Sequence, residues 1–170
     1  MQIEIVDYDP AWPEQFAREA DRVRNSLGGA ALSIDHVGST AVRGLAAKPV
    51  IDINLAVADS EREEAYAPAL HNAGYRLVIR EPDWHQHRMF NNAESTVNLH
   101  VFSKGCPEIE RMKLFRDWLR ANPVEATCYS KAKRALAARD WPDVQAYADA
   151  KKGIVAEIME RADRWRKARR

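Results

Sequence analysis

Residues 50–58, VIDINLAVA, constrain this chain more than any other segment. Side chains alternate across a strand, so Ile51, Ile53, Leu55 and Val57 fall on one face and Asp52 and Asn54 on the other. The segment predicts a strand that buries an apolar face and sets a carboxylate beside an amide on its polar face. Whatever fold the chain adopts must cover the first face and accommodate the second.

The remaining elements arrange themselves around that strand. Residues 2–6 alternate and are rich in Ile and Val, which predicts a short strand ended by Asp9-Pro10. A helix is predicted over about 12–27, with Trp12, Phe16, Ala20, Val23 and Leu27 on one side and Gly28-Gly29 closing it. Residues 32–37 predict another strand, interrupted by Gly38-Ser39-Thr40, and 40–47 have room for one or two helical turns. Ser60 is placed to cap a helix reaching Ala73, with Glu63 as its capping-box partner. A strand over 75–80 follows Gly74, then a hairpin of 87–91 with 96–102. After Pro107 the pattern turns helical: 108–121, 123 to about 138, and 141 to the end. A mixed α/β part (about 1–105) is thus followed by a helical part (about 106–170). No flexible linker separates them, so 1–170 reads as one unit.

Charge and cysteine usage narrow the class. Lys and Arg number 26 against 25 Asp and Glu, a formal net charge of +1, which argues against a dedicated nucleic-acid binder. The basic end RADRWRKARR reads as a solvated terminus, with RNA contact the minor reading. Cys106 and Cys128 are too few for a disulfide framework and read as reduced thiols of a cytoplasmic protein. The opening MQIEIVDYDPAWPEQF lacks the basic-then-apolar run of a secretion signal. No stretch approaches the roughly 20 apolar residues of a membrane helix.

The chemistry concentrates in Asp35–Thr40 and Lys48–Asn54. A strand ending in Gly-Ser where a helical turn begins offers unpaired N–H groups and a hydroxyl to a phosphate, with Gly38 permitting close approach. Asp52 and Asn54, two apart on a strand, can share a hard cation such as Mg²⁺, with Mn²⁺ as a substitute, that takes its other ligands from water and substrate phosphates. Against this stands the reading of a common Gly-Ser turn and a solvated Asp. Lys48 suits a polyphosphate, or is a surface lysine. Arg88 reads as a phosphate or acceptor contact; a metal cluster of His85 and His87 with Asp83 is disfavoured for want of further ligands. His36 and His100 each read either as pocket-facing groups or as imidazoles held by hydrogen bonds in the sheet. Tyr129, Lys133, Tyr147, Lys151 and Lys152 form a polar, aromatic set that either frames a ligand or makes a helix–helix seam.

The block HVGSTAVRGLAAKPVIDI resembles the signature of the GrpB family, a branch of the nucleotidyltransferase superfamily. The resemblance extends through YDPAWPEQF, EPDW, HRMF, NLHVF, LFRDWLRANP, YSKAKRALA and YADAKKGIV, nearly the whole chain. It implies a nucleotidyltransferase-like α/β fold: a mixed β-sheet with flanking helices and a C-terminal helical segment. It also implies transfer of a nucleoside monophosphate from an NTP, ATP foremost, to an unidentified acceptor, with relatives sometimes fused to dephospho-CoA kinase. In that scheme Gly38, Ser39 and Thr40 hold phosphates, and Asp52 with Asn54 holds Mg²⁺. Lys48 and Arg88 neutralise charge, Tyr129 and Lys133 frame the nucleotide or acceptor, and His100 or His36 removes a proton. Three departures count. Asn54 stands where a second carboxylate belongs, and the later strand offers Asn98 and His100 rather than a third. Arg43 stands where relatives carry Pro. The first two favour an alternative, a catalytically inactive nucleotide- or phosphometabolite-binding module; Arg43 loosens the turn but adds a phosphate-seeking charge.

Overall fold

The computed structural model describes residues 1–170. Its sheet is built from β1 (Ser33–Val37), β2 (Ile51–Val57), β3 (Arg76–Glu81), β4 (His87–Asn91) and β5 (Val97–Ser103), in the order β1-β2-β5-β4-β3. Only β2 and β5 run parallel; every other neighbouring pair is antiparallel. The sheet is therefore mixed, and the parallel pair at its middle is joined through the 58–96 segment.

The alternation read in 50–58 is realised. Ile51, Ile53, Leu55 and Val57 are buried with Leu99, Val101 and Phe90 under α1 (Trp12–Leu27) and α2 (Ala67–Asn72), which contribute Trp12, Val23 and Leu70. Each such aliphatic side chain is worth about 1.5–3 kcal/mol of transfer free energy. The opposite face carries Asp52, Asn54, Asn98 and His100, because β2 and β5 pair Asp52 with Asn98 and Asn54 with His100. Over this face lie α3 (Pro107–Ala121), α4 (Pro123–Ala137) and α5 (Val144–Ala168), packed through Leu119, Tyr129 and Ile158 against Val42 and Leu45. The helical C-terminal part is thus the lid of the sheet's polar face.

Local expectations are corrected or narrowed at several points. Residues 2–6 do not form a strand: the segment makes one isolated bridge, Val6 to Ala47, and Ile3 is drawn instead into a small cluster with Ala137 and Tyr147. The helix capped by Ser60 does not form either. The Ser60 hydroxyl donates to the Gln86 carbonyl at 2.8 Å, and the Glu63 carboxylate accepts from Arg80 and Arg88, so neither is free to cap. A 3-10 turn (Glu63–Ala65) and the short α2 take its place. Residues 40–47 yield only one 3-10 turn, Ser39–Ala41. The last helix begins at Val144, where Asp143 accepts the Ala146 N–H at 2.8 Å. That helix runs to Ala168, so the basic end is folded, with Arg169 stacked over Trp165 at 4.5 Å. No helix is long and apolar enough to cross a membrane.

Candidate functional site

β1 delivers the chain to Gly38 at the edge of the polar face. Gly38 has φ +74°, and a Cβ there would lie 2.7 Å from Asp52 Oδ2. Only glycine lets the end of β1 cross the Asp52 carboxylate this closely. The 3-10 turn that follows is a single turn, too short for a helix dipole of any strength. Charge at this site comes from side chains, not from backbone donors.

Those side chains are lysines of the C-terminal helices. Lys133 of α4 is 2% exposed; its ammonium donates to Ser39 Oγ at 2.8 Å and to the Ala46 carbonyl, and lies 4.6 Å over the Tyr129 ring. Burial pushes it down to about 7, with Lys151 and Arg134 adding to the effect. Lys151 of α5 is likewise lowered, by burial first and then by Lys48, against the pull of Asp52. No carboxylate forms an ion pair with Lys48, Lys133 or Lys151. Tyr129 is buried beside Ser39, and burial pushes its hydroxyl well above the usual tyrosine range.

A hydrogen-bonded row crosses the sheet from the other side. Glu81 Oε1 accepts from His87 Nδ1 at 2.7 Å, which leaves His87 Nε2 as an acceptor for His100 Nδ1–H at 2.9 Å. Burial lowers the His87 imidazole below its ordinary value, opposed by Glu81, and so favours its neutral form. With Nδ1–H given to His87, His100 directs Nε2 toward Asp52 Oδ1, 3.3 Å away.

Four expected site residues are engaged elsewhere. Arg88 projects from the opposite face of β4; it is 3% exposed, and its Nε donates to Glu63 at 2.6 Å. His36, paired with Ile53 on the core face, stacks on Phe16 and shares a 2.9 Å hydrogen bond with Thr40. Burial pushes it down to about 4, with Arg120 and Arg116 adding and Asp52 opposing. Thr40 is therefore occupied in holding the loop. Asn54 shares the Asp52 face but is 1% exposed: its amide N–H donates to Met112 Sδ at 3.2 Å and its Oδ1 has no partner. The structure thus brings together Gly38, Ser39, Lys48, Asp52, His100, Tyr129 and Lys133. Lys151 of the polar, aromatic set joins them, His87 enters as a hydrogen-bond partner of His100 rather than a metal ligand, and Glu81, which no local motif marks, is added.

A cavity of about 270 Å³ opens beside Gly38, Asp52 and His100, roofed by Met112, Phe115 and Met159. No group of three His, Cys, Asp or Glu side chains lies close enough together to hold a metal ion. With Asn54 sealed against Met112, the groups lining the cavity that could ligate a metal are one carboxylate and one imidazole, beside the Arg111 cation. That set does not fit a resident Mg²⁺ centre, which calls for several oxygen ligands.

Residues 2–161 match the family described as GrpB protein. The chain belongs to the GrpB family. A UPF0157 protein of Halalkalibacterium halodurans is 56% identical over 161 residues, covering 95% of this chain and 83% of the relative. The crystal structure of the conserved protein GrpB from Enterococcus faecalis superposes with a TM-score of 0.84 at 31% identity, covering 94% of this chain and 96% of that one. The Cid1 poly(U) polymerase, with MgGTP bound, gives a TM-score of 0.56 at 10% identity over 75% of this chain and 43% of that chain. That likeness shows a nucleotidyltransferase-like fold. A dephospho-CoA kinase of Mycolicibacterium paratuberculosis is 31% identical over 190 residues, covering 96% of this chain but 46% of that protein.

Proposed function

We propose that this GrpB chain binds the phosphate groups of a nucleoside triphosphate between the Gly38-Ser39 turn and the C-terminal helices. One observation carries the reading: three lysines, two of them with lowered ammonium pKa values, gather near Ser39 and Asp52, and none of them forms an ion pair. Uncompensated cations in a partly desolvated cleft raise one another's energy, and an incoming anion relieves that cost. Ser39 and Lys133 are the direct contacts, Lys151 and Lys48 supply field, and the adjacent cavity takes the remainder of the ligand. The dephospho-CoA kinase relatives and the polymerase-like fold support a nucleotide over other anions.

The test is calorimetric titration of the four NTPs, with and without Mg²⁺, into wild type, Lys133→Met and Ser39→Ala. Lys133→Met is expected to weaken binding about 10- to 100-fold, the worth of a charge-assisted hydrogen bond of about 1.5–3 kcal/mol. Equal affinity in wild type and Lys133→Met overturns the reading.

A second reading, transfer rather than binding alone, is favoured by the position of His100 Nε2 beside Asp52. A hydroxyl that donates to Nε2 can lose its proton there, and the imidazolium formed then donates to Asp52. His87 and Glu81 hold the tautomer that makes this available. Transfer requires pyrophosphate release that His100→Ala abolishes while leaving NTP binding intact. Binding without release, across a panel of hydroxyl acceptors, favours the binding module.

A further inference from the structure

The loop that carries Ser39 continues through Arg43 to Ala46, and its far side borders a different and larger cavity, of about 560 Å³. Lys133 and Arg134 are neighbours on α4, yet Lys133 reaches Ser39 while Arg134 lines this second cavity. Arg43 and Arg120 line it as well, with the hydroxyl-bearing side chains of Tyr8, Thr127 and Ser130.

The lining is rich in donors and poor in acceptors. Arg43 forms no ion pair. Arg120 spends its Nε on the Ala41 carbonyl at 2.9 Å and meets Asp117 only at 4.0 Å. Arg134 is held by Asp7, the one acidic residue of the lining, whose side chain is 95% exposed. Ser130 Oγ already accepts the Ala46 N–H, so its own proton is left to give. Three guanidinium groups and three hydroxyls converging on one space suit a ligand made of acceptors, and the planar guanidinium fork matches phosphate oxygens. Leu119 and Ala126 add an apolar portion for a small organic group. We propose that this cavity is a second anion site that takes a phosphorylated small molecule. It is separate from the Ser39–Lys133 site and independent of the nucleotide reading.

The experiment is titration of pyrophosphate into wild type, Arg43→Glu and Lys133→Met, with backbone amide shifts of 43–46 and 127–130 followed by NMR. Arg43 is exposed and unpaired, so its replacement leaves the fold intact. The expected result is a binding event that Arg43→Glu weakens at least tenfold, that Lys133→Met leaves in place, and that moves the 43–46 and 127–130 amides. If the nucleotide reading fails, this event still remains, as one site per chain rather than two. Binding that Lys133→Met abolishes entirely, or that Arg43→Glu leaves unchanged, overturns the proposal. So does displacement of pyrophosphate by a single-stranded oligonucleotide with a steep salt dependence, which assigns the surface to nucleic acid.

Discussion

Gly38 is the residue at which the site tolerates least. Its left-handed backbone and the 2.7 Å approach to Asp52 Oδ2 mean that Gly38→Ala must both strain the turn and displace the carboxylate. It is expected to cost about 1–3 kcal/mol in urea unfolding and to weaken NTP binding. Gly29→Ala, where a Cβ meets nothing within 4 Å, is the matched control and is expected to stay within about 1 kcal/mol of wild type. His36 gives a second test at the same scale. Burial holds it at about 4 in the folded chain against an ordinary 6.5. The unfolded chain therefore binds the extra proton first. Stability is expected to be full above pH 6.5, to fall as the pH drops toward about 4, and to lose up to about 3 kcal/mol on this account. Equilibrium unfolding across pH 4–7 checks this, and His36→Gln should flatten the dependence in that window.

At the scale of elements, β3, β4 and the Glu63 turn are joined by charge. Arg88 is buried against Glu63, which also holds Arg80 through two hydrogen bonds. Removing the guanidinium leaves a partly uncompensated carboxylate, so Arg88→Met is expected to cost about 2–4 kcal/mol in unfolding with NTP affinity unchanged. Lost affinity at full stability would return Arg88 to the site. The sequence made β2, α1 and the β4–β5 hairpin legible because each carries its own period and its own terminators. It misplaced the 2–6 strand and the Ser60 helix because those segments are decided by partners far along the chain. Val6 finds only Ala47, and Ser60 finds Gln86 and Ser103. The site divides in the same way. Gly38, Ser39 and Asp52 lie within one motif and could be read from it. Lys133 arrives from 94 residues away, and the core-facing register of Arg88 is visible only in the sheet pairing.

The whole molecule is a mixed sheet whose apolar face is closed by the N-terminal helices and whose polar face is closed by the C-terminal ones. This division places the Gly38-Asp52 edge on the sheet and Lys133 and Lys151 on the lid, so a ligand between them bridges the two parts. Ligand binding is accordingly expected to raise the melting temperature in proportion to log concentration. It should also slow amide exchange in α4 and α5 together with the 38–41 turn, a pattern that binding on the sheet alone would not produce.

An anion bound at Ser39 meets Lys133, and the proton on Lys133 reports that contact. With its free value near 7, Lys133 is mostly neutral at pH 8, where the phosphates are ionised. An anion in contact raises that value, so binding must take up protons, and affinity must fall as the pH rises from 7 to 9. Lys151, itself lowered by burial, also feels the charges of Lys48 and Asp52. The measurement is ATP titration at pH 8 in buffers of different ionisation enthalpy, in wild type and Lys133→Met. The account requires net proton uptake in wild type that Lys133→Met markedly reduces. Tight ATP binding with no proton uptake, or uptake that Lys133→Met leaves unchanged, contradicts it.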